Sequence, residues 1–199
     1  MIHIRNISSL LSVQDQNYAP TTKPVRVYSG DVVTCTTPAV LHTLLGSCVA
    51  VCLHDPVLRV GGMNHILLPG SFLGRRSTRF GVYAMELLIN ELMKHGCERR
   101  RFVAQAFGGA TVRPESKASR IGDENAKFVH EFLAAEKIPL LNDRMRGSYA
   151  VHVHFRTQTG KAIVHAIKGS LLQKILHAEE SYRRLHQEDA QYSGEITLF

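Results

Sequence analysis

Thr43-Leu-Leu-Gly-Ser-Cys48-Val-Ala-Val-Cys-Leu-His-Asp-Pro56 and Val60-Gly-Gly-Met-Asn-His65-Ile-Leu-Leu-Pro69 decide the fold. Ser47–Leu53 is a short apolar run rich in β-branched residues, and Asp55-Pro56 punctuates it. Val60–Leu68 is a second such run, ended by Pro69-Gly70. Together they predict a hairpin that turns around residues 54–59. Cys48 follows Gly46-Ser47 at the mouth of the first strand, and His65 lies in the second. Pairing the strands brings a thiol and an imidazole toward each other, which is the nucleophile–base arrangement of acyl chemistry. An imidazole that takes the thiol proton supplies a thiolate at neutral pH. A third polar group is needed to orient the ring, and Thr43, Asn64 and Ser47 are the nearby candidates. A cysteine within an apolar strand is otherwise a small buried hydrophobe, and Cys52 is read so.

The surrounding chain predicts further strands. Residues 24–28 and Asp31–Cys35 have strand composition with Gly30 turning between them, and Phe102–Phe107 is broken by Gly108-Gly109. Ile138–Leu141 is short and extended. Tyr149–Arg156 and Lys161–Ile167 form a hairpin across Thr157-Gln-Thr-Gly160. Val82, Met85, Leu88, Ile89, Leu92 and Met93 keep helical spacing from Gly81 to His95, with Gly96 placed to end the helix. A second helix is expected from about Glu124 to Ala135 with Asp123 as its N-cap, and a third over residues 171–186. Strands outnumber helices and hairpins outnumber βαβ units. The fold class is therefore α+β, a layered sandwich of mixed or antiparallel sheet with two to three packed helices. The expected organisation is a flexible N-terminal arm over 1–22, one domain over 23–190 and a tail over 191–199.

The chain has 199 residues, with 24 Lys+Arg against 17 Asp+Glu, a net charge of +7. No run approaches the ~18 apolar residues of a membrane span, and the first residues lack a secretory core. Four cysteines are too sparse for a disulfide framework, so reduced thiols and a cytoplasmic location are expected. The excess charge gathers at Arg75-Arg76…Arg79 and Arg99-Arg100-Arg101. Such clusters attract anionic partners, but no helix-turn-helix, zinc-finger or RNA-recognition signature accompanies them. His152 and His154 sit two apart on one strand with His165 on its partner. Three imidazoles on one face could hold zinc; they are read as half-exposed sheet residues, with no metal site. Cys35 and Cys97 have no recognisable partner motif.

The block Leu45-Gly-Ser-Cys48-Val-Ala-Val-Cys-Leu-x-Asp-Pro56, then Gly61-Gly-Met-Asn-His65-x-Leu-Leu-Pro69, resembles the chemoreceptor glutamine deamidase (CheD) family. The resemblance continues through Phe107-Gly-Gly-Ala110, Ile121-Gly-x-x-Asn125-Ala-x-Phe-Val129 and Thr159-Gly160, covering roughly residues 26–168. It implies that Cys48 is the nucleophile, His65 the base and Thr43 the third catalytic residue. It implies deamidation of receptor glutamines to glutamate through a thioester, with no metal or organic cofactor. The implied partners are the cytoplasmic helical bundles of methyl-accepting chemotaxis receptors and a CheC-type chemotaxis phosphatase, with no nucleic acid and no membrane insertion. On this reading the two arginine clusters become a docking surface for acidic receptor bundles. The alternative is a non-catalytic module that docks on receptors or on the phosphatase, and the presence of both Cys48 and His65 favours the enzyme.

Overall fold

In a computed structural model, the described residues are 24–69, 81–111 and 117–167, together with Gln173, His177 and Ser181. The arm over 1–22, the Arg75–Arg79 cluster, the 191–199 tail and nearly all of the helix expected over 171–186 lie outside them.

Strand β4 (Val49–Asp55) is buried along its whole length, and it sits at the centre of the molecule. Alternate side chains leave a strand on opposite faces, so a strand buried on both faces reads as a continuous apolar run. Val49, Val51 and Leu53 enter one core, and Ala50 and Cys52 enter another. The five-stranded sheet runs β2 (Val32–Cys35), β5 (Val60–Asn64), β4, β6 (Val103–Gly108) and β7 (Leu140–Met145). Its pairs are antiparallel except β6 with β7. The four-stranded sheet runs β1 (Val25–Arg26), β3 (Val40–Leu45), β8 (Val151–Arg156) and β9 (Ala162–Ala166), with only β1 and β3 parallel.

Helices α1 (Gly81–Lys94) and α2 (Lys117–Ala135) cover one face of the five-stranded sheet. The four-stranded sheet covers the other. The layers are therefore helix, sheet, sheet, an α+β sandwich as the strand-rich pattern predicts. No helix among the described residues is long and apolar enough to cross a membrane.

The turn at Gly30 is in place, with φ 85°, and it crosses from layer to layer, since β1 joins one sheet and β2 the other. Two local expectations are corrected. Strand β3 has no counterpart among the expected elements. It shows a clean two-residue alternation, with Leu41, Thr43 and Leu45 inward. Helix α2 begins at Lys117, well before Glu124, so Asp123 lies inside it and faces Arg146 at 3.6 Å instead of capping it. Gly122 lies inside this helix, where a glycine lowers helix propensity. It serves a close approach: a Cβ there would stand 2.8 Å from the Gly109 carbonyl oxygen.

Candidate active site

Cys48 lies in the link between β3 and β4, and the carbonyls of this link are pinned from three directions. Gly46 O accepts from Ala110 N–H at 2.8 Å, and Cys48 O accepts from Gly109 N–H at 2.7 Å. Ser47 O accepts from Asn125 Nδ2 at 3.2 Å, and the same amide nitrogen reaches Leu67 O at 3.1 Å. Asn125 is fully buried on α2, so the helix ties the Cys48 link to the residues following His65. The C=O and N–H of a trans peptide point opposite ways. Fixing the Gly46 and Ser47 carbonyls therefore points the Ser47 N–H away from Ala110 and the Cys48 N–H away from Asn125. Gly108 makes the arrangement possible: its φ is 100°, and a Cβ there would stand 2.2 Å from Cys48 O.

His65 follows directly on β5. Val49 and Ile66 exchange backbone bonds at 3.0 and 2.7 Å, continuing the β4–β5 register beyond the named strands. In that register His65 lies opposite Ala50, and Cys48 occupies the diagonal position on the same face. Such diagonal neighbours are roughly 7 Å apart at the backbone, within reach of a long or aromatic side chain. Both residues point into the layer between the two sheets and both are buried.

Thr43, on the inner face of β3, approaches the imidazole from the opposite sheet. Its Oγ1 donates to Val27 O at 2.7 Å and lies 2.9 Å from His65 Nδ1. A hydroxyl has one proton. Since that proton goes to Val27, Thr43 accepts from His65, which puts the ring proton on Nδ1 and the lone pair on Nε2. Ser29 Oγ lies 3.4 Å from that Nε2. Ser29 is carried by the turn in which Asp31 N–H bonds Tyr28 O at 2.9 Å. The turn is held against the histidine's own main chain by Gly30 N–H to His65 O and His65 N–H to Asp31 O.

Of the three candidates for the orienting group, Thr43 is bonded to the ring. Asn64 serves the strand instead, its Oδ1 accepting from Val51 N–H at 2.9 Å while Nδ2 reaches Met85 Sδ. Ser47 is buried and contributes its carbonyl to Asn125. Ser29 and the supporting role of Asn125 were not legible beforehand. Asn125 stands in the family-like string, but nothing in its spacing says what it holds.

The remaining candidates separate clearly. Burial pushes the Cys52 thiol far above its usual range, as a core residue requires. Burial and the nearby Asp55 carboxylate raise Cys97 to about 11, and burial raises Cys35. The Arg99–Arg101 cluster is not a patch of unpaired charge: Arg99 pairs with Glu136, Arg100 with Glu98, and Arg101 with Asp55 and Glu98. His152, His154 and His165 do share one face, as the hairpin predicts, and His42 on β3 joins them there.

Residues 67–166 match the family described as CheD chemotactic sensory transduction. The chain is 42% identical over 160 residues to the probable chemoreceptor glutamine deamidase CheD of Xanthomonas euvesicatoria pv. vesicatoria, covering 80% of each chain. It is 48% identical over 134 residues to a probable chemoreceptor glutamine deamidase, CheD 1, of Burkholderia thailandensis, covering 65% of this chain and 57% of that one. The corresponding protein of Stenotrophomonas maltophilia is 41% identical over 160 residues. With a strand-rich sandwich in place and relatives of this closeness over most of its length, the chain belongs to the CheD family.

Proposed function

We propose that this protein hydrolyses the side-chain amide of glutamine residues in methyl-accepting chemotaxis receptors, leaving glutamate and ammonia, with Cys48 as nucleophile. The observation that carries the reading is the Thr43–His65 hydrogen bond, because it leaves Nε2 as the basic nitrogen of a ring on the same face as Cys48.

Nε2 of His65 takes the Cys48 thiol proton, and the sulfur attacks the amide carbon to form a C–S bond. The carbonyl oxygen becomes an oxyanion, toward which the Ser47 and Cys48 N–H groups are the donors we assign. The C–N bond then breaks as His65 passes its proton to the leaving nitrogen, releasing ammonia and a thioester. Water gives a proton to Nε2 and adds to the thioester. Collapse breaks the C–S bond, and the proton returns to sulfur. Thr43 accepts from Nδ1 throughout, holding the ring in one tautomer and favouring the imidazolium that forms transiently.

The receptor's cytoplasmic bundle and a CheC-type phosphatase are the partners we assign, with the protein acting in the cytoplasm and the reaction itself needing no metal or organic cofactor. The test is mass spectrometry of a purified receptor cytoplasmic fragment incubated with the protein. Conversion of particular glutamines to glutamate is expected. A Cys48→Ala protein that remained fully active would overturn the mechanism.

A further inference from the structure

The outer face of the four-stranded sheet carries four histidines, and the proposed reaction uses none of them. In register, His42 of β3 stands opposite His154 of β8, and His152 of β8 stands opposite His165 of β9. His42 Nδ1 lies 3.1 Å from His152 Nε2. The His152 and His154 ring centres are 4.1 Å apart, and His154 is 5.7 Å from His42 and 5.8 Å from His165. One ring nitrogen from each of His42, His152 and His154 falls within 4.8 Å of the other two.

Hydrogen bonding accounts for only part of this grouping: His42 and His152 pair with each other, and His154 and His165 are left out. His154 Nδ1 and His165 Nε2 are buried and have no hydrogen-bond partner among the described residues. Buried polar nitrogens normally find a partner, so an unpartnered one on a ring that belongs to a cluster of ring nitrogens marks a place where something else binds. We propose that His42, His152 and His154 bind a divalent transition-metal ion of the zinc class, with His165 standing against His154 as a fourth imidazole.

The chemistry of the donors sets the class of ion. Neutral imidazoles suit zinc, cobalt, nickel and copper, whereas calcium and magnesium require oxygen ligands, which the trio does not provide. Tetrahedral zinc–imidazole bonds of about 2.0–2.1 Å place ligand nitrogens about 3.4 Å apart. The His42–His152 nitrogens, at 3.1 Å, are close to that spacing, and side-chain rotation within the 4.8 Å limit brings in the third. The opposing charge is Arg26, which pairs with His42 in register on β1, with its guanidinium 4.9 Å from the centre of the Tyr28 ring. The site lies on the opposite side of β3 from Thr43, so it is distinct from the Cys48–His65 pair, which could itself attract a soft metal.

The test uses the full chain, free of any affinity tag, with Co²⁺ as the probe and Zn²⁺ as competitor. The expected result is one equivalent of Co²⁺ in a four-coordinate visible spectrum, without a thiolate charge-transfer band. It should persist after alkylation with iodoacetamide and be displaced by Zn²⁺. His152→Gln together with His154→Gln should weaken uptake by at least about 100-fold. Should that variant fail to fold by circular dichroism, the alkylated wild-type spectrum decides alone. No stoichiometric uptake, a thiolate band lost on alkylation, or full uptake by a folded double variant would each overturn the proposal.

Discussion

Two sets of histidines lie on opposite sides of strand β3, and their surroundings differ in kind. On the inner side His65 is buried with a hydroxyl at each ring nitrogen, Thr43 at Nδ1 and Ser29 at Nε2. On the outer side His42, His152, His154 and His165 face one another. A hydroxyl whose proton is already committed elsewhere fixes a tautomer, and a fixed tautomer makes a directional base. On the outer side the ring contact is imidazole to imidazole, His42 with His152, and either ring can carry the shared proton. Burial and the neighbouring imidazoles hold His152 down at about 3 and His154 at about 4. Burial and then Arg26 lower His42 as well. One strand thus separates a ring held by hydroxyls from a cluster of rings held neutral.

The largest effect should come from the inner side. Cys48→Ala removes the only atom that forms a covalent bond to substrate in the proposed cycle. The expected loss of receptor deamidation is at least about 10⁴-fold in kcat/KM, with the circular dichroism spectrum unchanged. Next in size is Thr43→Val, which keeps the branched shape and deletes the hydroxyl. His65 Nδ1–H then loses its acceptor and the ring its fixed tautomer, so kcat should fall by about 10²-fold. Thr43→Ser should restore most of the rate. A valine variant as active as wild type would show that the hydrogen bond only fills space.

Asn125 tests whether the inner site depends on being pinned. Asn125→Leu keeps the approximate volume but removes the donor to Ser47 O and Leu67 O. Leaving buried carbonyls without their donor should cost about 2 kcal/mol or more in urea unfolding. The activity lost per folded molecule would report how far the Cys48 link relaxes. An unchanged urea midpoint would mean that α2 merely rests on the link.

Much of this comparison could be read from residue order. The β4–β5 hairpin, the placement of Cys48 and His65 on one face of it and the shared face of His152, His154 and His165 all follow from two-residue alternation and turn chemistry. What could not be read depends on contacts between distant segments. Strand β3 was hidden because its outward residues Val40 and Leu44 are apolar, which blurs the alternation. His42 joined the outer histidines only because β3 pairs with β8, more than a hundred residues away. Ser29 reaches His65 because a turn crosses between sheets, and Gly122 stays helical because a neighbouring backbone needs the space. Each is a tertiary condition acting on a locally ambiguous residue.

The smallest effect, and the one that separates the two sides by physical chemistry alone, is the acid dependence of stability. An unfolded histidine titrates near 6.5, whereas folded His152 and His154 titrate at about 3 and about 4. Below about pH 6.5 the unfolded chain therefore takes up protons that the folded one refuses, and stability must fall as pH falls. Burial acts first on both rings; His42 and His165 press on both and Arg26 on His152, and every one of them disfavours the charged ring. With EDTA present, the urea midpoint should drop between pH 7 and pH 5, and the drop should be shallower in His152→Gln combined with His154→Gln. Both imidazoles remain partly open to water, which screens the effect and keeps it modest. An identical pH slope in the double variant would mean that the outer rings are solvated like ordinary surface histidines, and the contrast across β3 would then lie only in hydrogen bonding.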